Sequence, residues 1–403
     1  MKRAIKKILG ESRVKSASLN IQEVKQRISL KLSGERLDSM SGIVLSLPKH
    51  DVYFGYYDKS PFNADDSLIL SLAKPAGQSK SLYGVWIKES GLWSFNSLGS
   101  TEAWNYQMGS RLQWSNSTQS CFIVNVLSQG TLCSLLIDAK SGQQIEKMKY
   151  PVFEQSKCGN FFVTLDFLAL EGRRAGYGYN LGSRDDRYGN SGALYKFSRL
   201  EQGLDLLVSP KDCSDVLNTK EPGYLNHPLI SPDGDFMIFL YVVEGEPRRT
   251  YLFGYVFSAQ KLVLINSEGW VSHFNWIRPN EIVAYCLHGG IKSLYRIRIN
   301  DKYKAHYCRI RPDEVKRDCH PTYINTHASV LVDSYPDKMG LQTLKVVPLD
   351  KNKPIKQLSN EYLKARFNGP LRCDLHPRLS RDESVAIIDS VANNFRVIKL
   401  FDI

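Results

Sequence analysis

At 403 residues, 42% of them hydrophobic and 11% aromatic, the chain can fill a large core, which excludes a disordered or low-complexity protein. Its net charge of +12 is concentrated at the start, where residues 1 to 36 hold ten Lys and Arg against three Glu. No stretch approaches the ~20 apolar residues a membrane helix needs, and the eight cysteines form no CxxC pair, so neither a membrane span nor a zinc knuckle is expected.

The first predicted element is an arm over residues 1–40. Ile5, Ile8 and Leu9, then Ile21, Val24, Ile28 and Leu32, recur at helical spacing among the basic residues. A basic amphipathic arm of this kind is expected to pack on the body of the protein with its charges solvated, with the alternative that it lies on an anionic membrane surface or polyanion. No nucleic-acid-binding motif accompanies it, so nucleic acid is not an expected partner. The arm lacks the apolar centre of a secretory signal. Cysteines such as Cys121 and Cys286 sit inside apolar runs, as reduced thiols do. The expectation is a cytoplasmic monomer, membrane-peripheral if the arm binds lipid.

From residue 41 onward a short pattern recurs seven times: a few residues, a polar turn, then an apolar strand. The copies start at Tyr56, Arg111, Val152, His227, His273, His320 and His376. The clearest is His227-Pro-Leu-Ile-Ser-Pro-Asp-Gly before Phe236, and the last is His376-Pro-Arg-Leu-Ser-Arg-Asp-Glu before Val385. Pro presets φ, Asp bonds the backbone and Gly accepts positive φ, so Ser-Pro-Asp-Gly makes a tight turn between strands. Most intervals are 41 to 56 residues, the spacing of a propeller blade. The expected fold is an all-β, seven-bladed β-propeller over residues 41–403 with a short basic helical arm. The third interval is 75 residues and contains Gly172-Arg-Arg-Ala-Gly-Tyr-Gly-Tyr and Arg184-Asp-Asp-Arg, which reads as an insertion over one face. Too few strands follow His376 to complete the last blade, and Ile43-Val-Leu-Ser-Leu is the candidate for its missing outer strand. Such closure pairs the open edges of the ring.

If the residues before each turn form the innermost strand, the seven starting positions line one end of the channel. Four are histidines, and neutral imidazoles in one register make a divalent-metal site. Asp374, Asp333 and Asp337 are the carboxylates near enough in sequence to complete it. Arg111, Arg372, Arg378 and Lys59 add cations suited to an anionic ligand, Arg giving bidentate contacts to carboxylate. Tyr56, Tyr57 and Tyr335 lie at the same level, whereas Trp114 and Trp276 read as blade packing. Val152 leaves the third blade without chemistry in this column. There is no Ser-His-Asp motif and no phosphate-binding Gly loop, which argues against a hydrolase or nucleotide-dependent transferase.

The segments around His227, His273, His320 and Arg372-Cys-Asp-Leu-His-Pro-Arg378 resemble the oligogalacturonate lyase type of seven-bladed propeller, and the Ser-Pro-Asp-Gly turns resemble the broader TolB-like propellers. The resemblance spans about residues 45 to 403 as repeats, with the sharper motifs between 224 and 390. It implies a metal-assisted lyase acting on acidic, uronate-containing oligosaccharide by β-elimination, with Mn²⁺ as cofactor. His227 matches the position of the base and His273 that of a metal ligand. His320, Asp374 and His376 complete the implied ligand set, Asp374 standing where the family pattern His-x-His-Pro has histidine. Tyr57 and Tyr335 are candidates for the acid, and Tyr56, Arg111, Arg372, Arg378 and Lys59 for substrate binding. The alternative is a non-catalytic glycan- or protein-binding propeller that serves as a scaffold in surface-polysaccharide biosynthesis.

Overall fold

In the computed structural model, which describes residues 18–26, 28–29, 42–199 and 203–403, the apolar runs after the turns form strands of seven four-stranded antiparallel sheets. Each sheet is a blade of a closed ring. The innermost strands are β2 (His50–Tyr53), β6 (Gln113–Trp114), β10 (Glu154–Gln155), β14 (Gly223–Ile230), β18 (Val271–Arg278), β22 (Pro321–Ile324) and β26 (Arg378–Leu379). Second strands are buried on both faces because each blade is covered by its neighbours. All eight residues of β15 (Phe236–Val243) are buried, for example. Outer strands alternate toward solvent, as in β5 (Leu92–Thr101).

The turn chemistry recurs in the structure as in the sequence. Ser156, Ser231 and Ser380 each donate their backbone N–H to a carbonyl five residues on, and their Oγ accepts the N–H of that same residue. Gly234 takes φ +92° to close the second of these turns.

Ring closure follows the sequence expectation. β1 (Ile43–Leu45) is the outer strand of the last blade, paired antiparallel with β28 (Phe395–Asp402), which follows β27 (Val385–Ala392). Residues from the start and end of the propeller thus share one sheet, and unfolding either exposes a sheet edge. Hydrophobic packing sits between blades rather than at a central core. Leu70 and Trp114 join blades one and two, Ile277 and Tyr323 blades five and six, and Leu45 and Ile69 blades seven and one. Trp114 and Trp276 are core, as expected from sequence, and each indole N–H bonds a carbonyl of the preceding blade, Pro61 and Leu229 respectively.

The long third interval is a packed insertion between β11 (Phe161–Thr164) and β12 (Leu194–Ser198). Asp166 caps a helix, Phe167–Arg173, by accepting from the backbone of Leu168 and Ala169. Phe167 stacks between Phe153 and Tyr179, pinning the insertion over the third blade. A second helix, Pro210–Leu217, starts with a capping box from Ser209 and Asp212 and leads into blade four.

Of the arm, residues 18–26 and 28–29 are helical. The helical spacing expected at Ile5, Ile8, Leu9 and Leu32 falls outside the described residues. Among the described residues no helix is long and apolar enough to cross a membrane, and all eight cysteines are free thiols.

Candidate functional site

Tyr56 and the four aligned histidines meet in one cluster, while Val152 packs between blades two and three, and positive φ recurs among the aligned positions. Arg111, His227 and His376 have φ of +53°, +56° and +46°. Arg111 and His376 lie just ahead of β6 and β26, whereas His227 lies within β14, where a left-handed residue is a bulge that turns its side chain out of the pleat, at roughly 1–3 kcal/mol of local strain. The register of β14 breaks between Asn226 and Leu229, with His227 at the break. His273 sits at a comparable irregularity in β18.

Tyr56 and Tyr57 occupy the middle of the histidine cluster. Tyr56 lies 5.0 Å between ring centroids from both His227 and His376, and Tyr57 lies 5.1 Å from His320. His320 in turn is 4.0 Å from His273 and 4.5 Å from His376. All four imidazoles are buried.

Three of the rings are held through Nδ1. That of His376 is 2.7 Å from the Gly55 carbonyl, that of His320 2.8 Å from Asp333 Oδ2, and that of His273 3.1 Å from Asp318 Oδ1. A carbonyl can only accept, so His376 Nδ1 carries the proton and a neutral ring leaves its lone pair on Nε2. That Nε2 is buried with no hydrogen-bond partner among the described residues. Asp333 organises two ligands at once, accepting also from the backbone N–H of His320 and His376. Burial pushes the Asp333 carboxyl up to about 7. Burial also holds His320 and His376 well below the usual imidazole range, with neighbouring imidazoles adding to the effect.

These features fit a divalent cation. Ligand atoms of His320, Asp374 and His376 all lie within 4.8 Å of one another, and all three residues are buried. Two neutral imidazoles and a carboxylate suit Mn²⁺, Fe²⁺ or Zn²⁺, and Nδ1 anchoring is the usual support for Nε2 ligation. His273 stands beside this group rather than in it. Its Nε2 is 3.4 Å from the Tyr335 hydroxyl. Asp374 is also gripped by Arg372, with Nε and Nη2 each 2.6 Å from a carboxylate oxygen. Carboxylate oxygens have spare lone pairs, so the pairing leaves room for a further partner.

His227 is different from the other three. Neither ring nitrogen has a hydrogen-bond partner among the described residues. It faces Tyr56, Phe153 and Tyr177 and borders a cavity of about 10 Å³, close to the minimum for a single water. Burial, then the charge of Arg174, depress its pKa well below 6.5. The ring is therefore neutral near pH 7 and able to accept a proton.

Several side chains expected to meet substrate are committed elsewhere. Arg111 makes a bidentate pair with Asp58, at 3.0 and 2.7 Å, and donates to the Phe153 carbonyl. Lys59 Nζ lies 2.5 Å from both Glu154 oxygens. Arg378 is buried against Phe54 and bonds Asp389 and the Gly55 carbonyl, fastening blade seven to blade one. The Tyr57 hydroxyl donates to the Phe274 carbonyl and accepts the Phe274 N–H, both at 2.8 Å, so it is occupied as a lock on blade five rather than free as an acid. The physical reason is common to all four: a buried charge or hydroxyl must be paired, and other segments of the ring supply the partner. Tyr335 remains at the channel, beneath the Arg372 guanidinium at 4.6 Å and accepting from its Nη2 at 3.3 Å. Tyr56 remains there too.

The insertion contributes residues that the aligned column did not contain. Arg174, the C-terminal cap of the insertion helix, lies 3.8 Å over the Tyr177 ring, and Tyr177 is 5.6 Å from His227. Among the described residues it has no carboxylate partner, unlike Arg111, Arg372 and Arg378. Blade three therefore contributes through its insertion, not through Val152, whose N–H and carbonyl are bonded by Asn125. The Arg173-Arg-Ala-Gly-Tyr177 segment carried a signal in its charge and aromatics, but nothing in it specified which arginine faces the channel. Asp318, two residues before His320, occupies the same sequence offset as Asp374 before His376 and could have been found that way.

Comparison with known proteins supports the fold and goes no further. No family model matches the chain, and no curated protein matches it. Among solved structures it is similar to an oligogalacturonate lyase in complex with manganese, with a TM-score of 0.62, 11% identity, and coverage of 91% of this chain and 95% of that one. It is also similar to the oligogalacturonate lyase of Vibrio parahaemolyticus, with a TM-score of 0.60, 13% identity and the same coverages. The protein is a seven-bladed β-propeller of the architecture found in oligogalacturonate lyase.

Proposed function

We propose that the protein is a metal-assisted lyase that cleaves acidic, uronate-containing oligosaccharide by β-elimination. The observation that carries this is the contrast within the histidine cluster: three imidazoles anchored through Nδ1, and a fourth, His227, with neither ring nitrogen hydrogen-bonded among the described residues. The likeness in fold to a manganese-bound lyase adds support.

In β-elimination the C5–H bond breaks, its electron pair becomes the C4–C5 double bond, and the C4–O4 bond breaks with its electrons leaving on oxygen. A base must take the C5 proton and an acid must protonate O4. His227 is the base, since its free lone pair is held in the neutral state by burial. The same burial weakens it as a base, and an anionic substrate beside it would offset that penalty. Tyr335 is the acid. Burial raises its pKa well above 10, so it keeps its proton until an alkoxide, a stronger base than phenolate, develops on O4. Arg174, without a carboxylate partner among the described residues and beside Tyr177, binds the uronate carboxylate, and Tyr56 supplies a ring face for the sugar. Bound at His320, Asp374 and His376 with His273 beside it, a Mn²⁺-type cation would neutralise the carboxylate and acidify C5.

The test is incubation with uronate oligosaccharides in the presence of Mn²⁺. An unsaturated product absorbing in the ultraviolet is expected, and no product across a broad panel of acidic glycans would overturn the assignment.

A second function, a glycan-binding scaffold without turnover, is favoured by one observation. The Arg372–Asp374 pair leaves this corner of the channel charge-balanced before any ligand enters. Metal analysis separates the two. Stoichiometric metal that is lost in His320→Ala supports the lyase, whereas metal-free protein that still binds glycan supports the scaffold.

A further inference from the structure

The described part of the arm is an amphipathic helix docked the wrong way round for a soluble protein. At 100° per residue, Leu19, Glu23 and Gln26 fall on one side of the helix and Ile21, Val24 and Ile28 on the opposite side. The side facing the propeller makes its contacts through polar groups, Glu23 and Gln26, with Leu19 half-buried on the same side. Gln26 is buried, and its Oε1 accepts the Tyr362 hydroxyl at 3.4 Å. Glu23 Oε1 accepts the backbone N–H of Arg366 at 3.4 Å. At Gly340, where φ is +83°, a side chain would collide with the Leu363 carbonyl and lie 3.1 Å from Gln26 Nε2, so the glycine makes the turn beside which Gln26 docks.

The outward side carries the apolar residues. Ile21, Val24 and Ile28 are 59%, 55% and 53% exposed, with Lys25 exposed beside them. A contiguous apolar stripe turned to solvent marks an interaction surface rather than scattered surface residues. Charge indicates its occupant. The excess of seven positive charges over residues 1 to 36 would repel a second copy of the same arm. The apolar stripe in turn has no counterpart in binding to a soluble polyanion.

We propose that this helix face docks the protein on an anionic lipid surface, with Ile21, Val24 and Ile28 entering the acyl boundary and the basic residues meeting headgroups. The helix sits at the end of blade six that bears the candidate site. Gly340 closes the loop that carries Tyr335, and Arg366 belongs to the connection that carries Arg372. Lipid docking would therefore bring that end of the propeller to the membrane.

The experiment is flotation of the full-length protein with vesicles of phosphatidylcholine alone or mixed with phosphatidylglycerol. Wild-type protein is expected on the mixed vesicles, weakened by salt and by roughly tenfold or more on phosphatidylcholine alone. The triple variant I21S/V24S/I28S is expected to lose binding to the mixed vesicles by roughly tenfold or more. Its melting temperature should stay unchanged, because the substituted side chains face solvent. Equal binding by wild type and variant, or no binding by either, overturns the proposal. Concentration-dependent dimerisation that the variant abolishes would assign the face to a second copy and overturn it as well.

Discussion

The channel has two unlike arcs. Along blades one to three, apart from Arg174 of the insertion, the channel charges are closed on each other: Arg111 on Asp58, Lys59 on Glu154, with the Phe153 carbonyl taking further Arg111 donors. Along blades four to seven the polar atoms are left open: both nitrogens of His227 and Nε2 of His376 are buried with no partner among the described residues. The repeat places side chains from both arcs in equivalent positions, so position alone does not make a residue functional. Among the aligned positions, unfulfilled hydrogen-bonding capacity separates His227 and His376 from Arg111, which holds the ring together.

The largest expected effect lies in the open arc. His227→Gln should lower kcat/KM on a uronate oligosaccharide by about 10²–10⁴-fold, the usual worth of a general base. Its thermal stability should be little changed, because the ring makes no side-chain hydrogen bond. A loss of stability with activity retained would place His227 among the structural residues instead.

In the closed arc the order of effects should reverse. Arg111→Met leaves Asp58 buried and unpaired, so denaturant unfolding should show a loss of about 3–5 kcal/mol. The salt bridge buries both partners, with side-chain exposures of 2% and 8%. Unchanged stability in that variant would erase the distinction between the arcs. Arg174→Met should be smaller and purely functional. KM should rise on the order of 10- to 100-fold, as for a lost charge-assisted hydrogen bond, with stability preserved.

The smallest effect is on acid stability. The folded-state pKa of His227 lies below its unfolded value near 6.5. As pH falls through about 6.5 the unfolded state takes up the proton first, so stability is present above that pH and is lost below it. Urea midpoints at neutral and mildly acidic pH should therefore fall less in His227→Gln than in wild type. An equal fall in both would show that the ring is not held neutral.

The propeller was legible because its signals are local. Ser231-Pro-Asp-Gly234 and Ser380-Arg-Asp382 carry their own turn geometry, and eight apolar residues in a row such as Phe236–Val243 can hardly be anything but a strand buried on both faces. Even the closure by Ile43–Leu45 could be argued by counting strands. The histidine register was legible for the same reason, since one repeat unit fixes one channel position.

The use of each channel residue was not legible, because it depends on partners hundreds of residues away. Tyr57 stands among the histidines yet spends its hydroxyl on Phe274, and Arg378 meets Gly55 across the closure of the ring. Arg174 reaches the channel only because Phe167 stacks on Phe153 and carries the insertion helix inward. The arm shows the same division. Its amphipathic spacing at Ile21, Val24 and Ile28 is a property of the chain, but the face turned outward follows from Gln26 and Glu23 finding partners beside Gly340. Periodicity along a chain specifies strands, turns and register, because these need only near neighbours. Which buried donor is satisfied, and which is left for a ligand, emerges only when distant segments compete for the same partner in a closed ring.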